Sequence, residues 1–406
     1  MYKEIFDEVV SIMQNHYAGY IDKKGWDNPE KYIRMVEDLE ECDKNDQAFI
    51  DIVQSYLLDF KDRHVFFIKS EESKLKDSDV GFKVRRYEES LVVTEVMDDA
   101  RLKVGQKIES LDDRSIEELS ESYQKQLYFE TNERQKWNEL LLNHETFESD
   151  GHSYAFRRFD KKKYESVHKG ELLNDDTLMF TFTDFIDNRP VDKVIDKFKE
   201  ELEKVDNLII DVRTNLGGSS FAYQNFFKYL FPKGEVNLQD DNYKMEFNLT
   251  EKNSDWLLEL YEGMTKDGST HLDGMMAFIK ANKGNGFASL SDDPDFLIIG
   301  KGSPSNIIVL TDTFCASAGD AFALTAQLSP KVTIVGRDTL GVLDYANLNI
   351  RKYENSFEFY YPTSRYSDRN DNVITGRAKP DIYIPWTPEH TEEDIDLKKA
   401  LEVIDK

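Results

Sequence analysis

Ser317 lies in "TDTFCASAGDAF" (311–322), between two alanines, with "SNIIVL" upstream and "GDAFALTAQL" downstream. The upstream run reads as a buried strand and the downstream one as a helix. A serine on a tight strand-to-helix turn can present its hydroxyl to a cleft, with the N–H groups of the new helix aimed at the same point. A small-residue turn that only lets a helix pack closely on a sheet has the same local pattern. Acyl transfer by serine also needs a base and donors for an oxyanion. "TNLGGSS" (214–220) offers Gly217 and Gly218 at the end of an apolar run, where a backbone N–H can approach a ligand with no side chain in the way. The N–H of Ala318, next to the serine, is the second donor expected. Among seven histidines, His64 in "LLDFKDRHVFF" stands where a helix gives way to an aromatic strand, two residues after Asp62. A histidine in such a place is also a common structural residue.

Composition narrows the function. A chain of 406 residues is expected to hold two or three domains. Its 26 Phe, 20 Tyr and 4 Trp supply enough apolar surface for substantial cores. A formal charge of −27 opposes nonspecific binding to nucleic acid. The two cysteines, Cys42 and Cys315, form no disulfide framework and no metal-ligand spacing, and Cys315 reads as a small apolar core residue. No cofactor or metal is expected. The start "MYKEIFDEVVSIMQNHY" lacks the pattern of a signal peptide, and no apolar run is long enough to cross a bilayer, so a cytoplasmic location is expected.

The elements that must position these residues follow from periodicity. Ile5, Val9, Ile12 and Met13 form one helical stripe, and Phe49, Ile52, Val53, Tyr56 and Leu57 another. They predict an N-terminal helical bundle over 1–75. Short alternating strands with turns predict a compact β-rich module over 76–128. Residues 129–406 alternate strands and helices, which favours a mixed sheet covered by helices, with 236–295 as an insertion acting as a lid or cleft wall. "TNERQKWNELL" reads as a structural helix, and the acidic tail as a final amphipathic helix through Ile395, Leu397, Leu401 and Ile404. The fold class expected is multidomain α+β.

Together these segments resemble a family. "LIIDVRTNLGG" is similar to the "DLRxNGGG" strand and turn of the C-terminal processing peptidases and the tricorn protease core. "VLTDTFCASAGDAFA" resembles their "VLxxxxSASAxE" nucleophile turn, "KDRHVFF" their "LxDxHTxF" motif, and "AKPDIYI" their "GVxPDI" strand. "VGFKV" and "ARLKVGQKIESLDDRSI" resemble the carboxylate-binding loop and "AGLKxGDxIxxIDGxxV" run of a PDZ domain.

The resemblance implies a ClpP/crotonase-like core and a serine peptidase acting on peptides or unfolded proteins. Ser317 would be the nucleophile, and Gly217 or Gly218 with Ala318 the oxyanion hole. The PDZ-like module would capture a peptide C-terminus around Val80, Gly81 and Phe82, or serve only as a spacer. Related peptidases assemble, so a homo-oligomer is a further expectation. In the processing-peptidase branch a lysine is the base, and that position falls on Val342. The tricorn-like branch uses a histidine from the "LxDxHTxF" motif, which maps to His64. The orienting glutamate of that branch falls near Thr375, with Asp371 the nearest carboxylate. Asp62 could orient the imidazole or cap the helix end. A non-catalytic ligand carrier on the same fold, as in the interphotoreceptor retinoid-binding proteins, is the alternative.

Overall fold

The computed structural model describes residues 1–42, 45–70, 78–238, 243–266, 272–289 and 297–405. The chain divides into two compact units: Met1–Ser73 with Ser166–Ile382, and Lys74–Glu165 with Tyr383–Lys406. This partition differs from the three consecutive segments expected from sequence. The first helices do not form a bundle with a core of their own.

In the first unit the strands His168–Asn174, Thr177–Phe182, Asn207–Asp211, Asn306–Thr311 and Val332–Gly336 lie side by side in that order. The first pair is antiparallel and the others are parallel, with Asp211 opposite Leu310. The chain therefore leaves Asn207–Asp211 and Asn306–Thr311 at the same edge of the sheet. The Gly turn follows the first of these strands and the Ser317 turn the second. Topology alone brings two distant turns together.

Helix Ala318–Ala326 packs on this sheet through Phe322, whose ring contacts Phe185, Tyr223, Phe226 and Phe227. Leu208, Ile210, Val309 and Ile334 supply the sheet side of the same core.

A second, antiparallel sheet carries the other half of the first unit. Strand Phe357–Asp368 pairs with Phe66–Lys69, Tyr243–Leu249 and Tyr345–Lys352. The N-terminal helices Tyr2–Asn15 and Asp46–Leu57 bury their apolar stripes against it. Phe6, Val9, Phe49 and Val53 share a core with Tyr345, Phe357, Phe359 and Tyr361. The stripes read from sequence are real; their partner is a sheet built from residues about three hundred positions later. Strand Tyr243–Leu249, within the expected insertion 236–295, is a member of that sheet.

The second unit holds an antiparallel three-stranded sheet (Phe82–Tyr87, Ser90–Val96, Lys107–Ile108) and a four-stranded one running Arg114–Ser115, Ser110–Leu111, Thr146–Ser149, His152–Ala155. Helix Ile116–Ser122 is capped by a reciprocal Ser115–Glu118 pair. "TNERQKWNELL" is not one helix: 3₁₀ turns at Asn132–Arg134 and Leu141–Asn143 flank irregular backbone. The final helix is Ile395–Ile404, with Asp396 and Ala400 as its buried residues. Among the described residues no helix is long and apolar enough to cross a membrane.

Truncating Phe322 to Ala should cost about 3–5 kcal/mol, the usual toll for a buried aromatic with four ring partners. Urea unfolding followed by tryptophan fluorescence would read it. A loss under about 1 kcal/mol would mean that the helix does not depend on this contact.

Candidate active site

Ser317 is half-buried and takes φ 55° and ψ −115°, a conformation that costs a non-glycine residue about 1–3 kcal/mol. Its N–H donates to Asp320 Oδ2 at 2.7 Å. Asp320 is fully buried, and its carboxylate also accepts the N–H of Gly341 at 2.7 Å, the N–H of Val342 at 3.3 Å and the Thr339 hydroxyl. One carboxylate thus clamps the serine turn to the loop that follows strand Val332–Gly336.

The Gly turn meets Ser317 directly. A Cβ on Gly217 would stand 2.7 Å from Ser317 Cβ and 2.9 Å from the Ala316 carbonyl oxygen, so only glycine fits there. Asn215 links the turns. It is fully buried, its carbonyl accepts the Ala316 N–H, and its Oδ1 accepts the Gly217 N–H, both at 2.9 Å. The Gly217 N–H is therefore spent internally. Among the described residues no hydrogen bond takes up the N–H of Gly218 or of Ala318. Of the two glycines named from sequence, Gly218 is the one with a donor to offer. Asn215 received no role in the sequence reading, although it occupies the asparagine of the "DLRxNGGG" pattern.

His64 is half-buried at the start of the aromatic strand. Its Nδ1 lies 2.7 Å from the Tyr345 carbonyl oxygen. A carbonyl only accepts, so Nδ1 carries the proton and Nε2 keeps its lone pair. The side chains considered for orienting the imidazole are engaged elsewhere. Asp62 accepts the His64 backbone N–H at 2.8 Å and the Tyr17 hydroxyl at 2.6 Å, so it fixes the turn. Asp371 is exposed and ion-paired with Lys244 at 2.5 Å. Thr375 contributes its backbone carbonyl, which accepts the Leu343 N–H at 2.8 Å.

A single loop connects the two candidates. The Leu340 N–H donates to Cys315 O at 2.7 Å, Gly341 and Val342 bond Asp320, Leu343 bonds Thr375, and Tyr345 receives His64. Val342, where the resemblance places a lysine base, is a buried apolar residue. Cys315 is fully buried, and desolvation pushes its thiol well above the ordinary range. Val80 and Phe82 are buried in the second unit, and the Gly81 N–H is bonded to Asp79 Oδ1 at 2.6 Å. Among the described residues no group of three His, Cys, Asp or Glu side chains could hold a metal ion.

Residues 176–384 match the model of peptidase family S41. The chain belongs to peptidase family S41. Among solved structures, mature CPAF complexed with lactacystin is 11% identical with a TM-score of 0.66, covering 99% of this chain and 97% of that one. Mature CPAF is 12% identical with a TM-score of 0.65, at coverages of 100% and 95%. A protein from Bacteroides fragilis NCTC 9343 described as an S41 protease is 12% identical with a TM-score of 0.51, at 97% and 96%. At these identities the likeness is one of fold. Among curated proteins no sequence relative is found.

In this S41 chain burial is the largest influence on the Asp320 carboxyl. Desolvation pushes its carboxyl up to about 6 from 3.8, and its hydrogen-bond donors keep it from rising further. The folded state then binds this proton more tightly than the unfolded state. Stability from protonation is fully present below about pH 3.8 and is lost as the pH rises through about 6. Asp320→Asn removes the titration. The stability of wild type relative to the variant should therefore fall, on the order of 2–3 kcal/mol, between pH 3.5 and 7.5. Urea titrations of both proteins across that range test it, and a pH-independent difference would contradict the assignment.

Proposed function

We propose that this chain is a serine endopeptidase of the histidine-using kind, with Ser317 as nucleophile and His64 as general base. The observation that carries the reading is the strained backbone of Ser317, held by Asp320 on one side and pressed against Gly217 on the other. Strain of this kind persists only where surrounding contacts enforce it, and serine nucleophiles use such turns to project the hydroxyl.

In this mechanism His64 Nε2 takes the Ser317 proton as the oxygen attacks a peptide carbonyl. The N–H groups of Gly218 and Ala318 hold the oxyanion. The imidazolium, steadied by its Nδ1–H bond to the Tyr345 carbonyl, then protonates the leaving amine, and water hydrolyses the acyl-enzyme. A backbone carbonyl does here what a carboxylate does in other triads: it fixes the tautomer and the ring plane. It lacks a full negative charge, so it stabilises the imidazolium less. The substrate is a peptide or an unfolded protein segment.

A fluorophosphonate probe should label the wild-type protein at Ser317 and leave Ser317→Ala unlabelled. His64→Gln should slow labelling by about a thousandfold or more, since nucleophile and base act as a unit. Folded wild-type protein that resists the probe, or a Ser317→Ala variant that hydrolyses peptides at the wild-type rate, would overturn the reading. The first of these outcomes is the one a ligand carrier gives.

A further inference from the structure

The second unit contains an edge strand with a helix beside it, a pair between which a peptide can add as a further strand. Strand Phe82–Tyr87 is an edge strand of its sheet, and an edge presents backbone groups to an incoming chain. Helix Ile116–Ser122 forms the opposite wall, tied to the strand by an ion pair between Arg86 and Glu117. The loop before the strand holds Val80 and Gly81, the place where the sequence suggests capture of a terminal carboxylate.

That groove is already filled by this chain. The Val84 N–H on the edge strand donates to Asn138 Oδ1 at 2.7 Å, so a side-chain amide stands where a peptide carbonyl would. Gln135 spans the two walls. Its Oε1 accepts from Arg86 Nη1 at 2.8 Å, and its Nε2 donates to Ser120 Oγ on the helix at 2.9 Å. Trp137, between them, is fully buried in the core shared by Val84 and Leu119, and its indole N–H donates to Gln135 at 3.0 Å. Glu133 accepts the Trp386 N–H at 2.8 Å, and the Trp386 ring covers the Arg85 guanidinium at 5.1 Å.

The carboxylate loop is occupied too. The Gly81 N–H meets the chain's own Asp79 carboxylate, and a Cβ on Gly81 would stand 2.8 Å from the Phe159 ring. Strand Phe159–Asp160 pairs with Ser78–Asp79 beside it.

We propose that residues 130–138 are a built-in occupant of this groove, and that substrates are cleaved without their free C-terminus being read there. Trp137 makes the occupancy durable. A competing peptide would have to expel a fully buried core aromatic before any new contact forms. The consequence for substrate class rests on the peptidase reading above; the occupancy itself does not.

Two measurements on the full chain test the proposal. In the first, hydrogen exchange is followed over strand 82–87 in the Ser317→Ala protein. The strand should exchange slowly, and an excess of a peptide ending in an apolar residue with a free carboxylate should leave its rate unchanged. Asn138→Ala should speed exchange there at least tenfold, while Asn138→Asp, which keeps an acceptor oxygen, should stay within about threefold of the parent. Fast exchange in the parent that the peptide suppresses would overturn the proposal. In the second, active wild-type protein is given one peptide sequence as free acid and as C-terminal amide. Their kcat/KM values should agree within about twofold, and a tenfold preference for the acid would overturn the inference about substrates. If neither peptide is cleaved, the peptidase reading has failed, and the exchange experiment still decides the occupancy.

Discussion

The buried carboxylate of Asp320 is the constraint on which the geometry of this site rests. Three backbone N–H groups and a threonine hydroxyl converge on it. A carboxylate in the interior is expensive, and its hydrogen-bond donors offset only part of that cost. What the expense secures is a fixed relation between two backbone segments. Ser317 is kept in a conformation it would not adopt alone, and Gly341–Val342 are kept against it. A few residues further along the same loop, Tyr345 offers its carbonyl to His64. The Ser317 turn and the His64 ring are therefore linked through loop 339–345 by hydrogen bonds between its backbone and both the Asp320 carboxylate and the imidazole.

The two sheets of the first unit divide the task. The parallel sheet delivers the Gly turn and the serine turn to one edge, because adjacent parallel strands end side by side. The antiparallel sheet delivers His64 and Tyr345. Strands Phe66–Lys69 and Tyr345–Lys352 both pair with Phe357–Asp368, so the histidine and its acceptor are held by one shared partner. Tyr17 and Asp62 add a brace beneath the turn at 2.6 Å. Burial, and then the nearby Asp62 charge, push the Asp344 carboxyl upward, which makes this part of the site another place where desolvated acid is accepted to fix the backbone.

Parts of this were legible in the sequence and parts were not. The Ser317 turn, the Gly pair and His64 stand out by residue type, because a hydroxyl on a tight turn, a bare backbone and an imidazole have few substitutes. The helical stripes were readable as periodicity, yet periodicity does not name what a stripe packs against, and here the partner was a sheet. The Tyr345 carbonyl had no signature, since every residue has one. Asp320 and Asn215 were within the quoted motifs but drew no role: their function is to accept backbone N–H groups, and only coordinates show which ones. "TNERQKWNELL" misled in another way. Its composition suits a helix, but tertiary bonds from Gln135, Trp137 and Asn138 draw the segment into irregular backbone along an edge strand.

The same geometry bears on the proposed choice of a histidine over a lysine as base. The backbone of Val342 is committed to Asp320, and its side chain is buried among apolar neighbours. A lysine at this buried position would have to bring its amine out of water, at a cost its apolar predecessor does not carry. The His64 imidazole instead gives its Nδ1 proton to a neutral carbonyl. The Tyr345 carbonyl can only accept, so it fixes the proton on Nδ1 and leaves Nε2 as the ring's outward atom. The carboxylate that shapes the Ser317 turn thus fixes the loop whose Tyr345 carbonyl receives the imidazole from the N-terminal part of the chain.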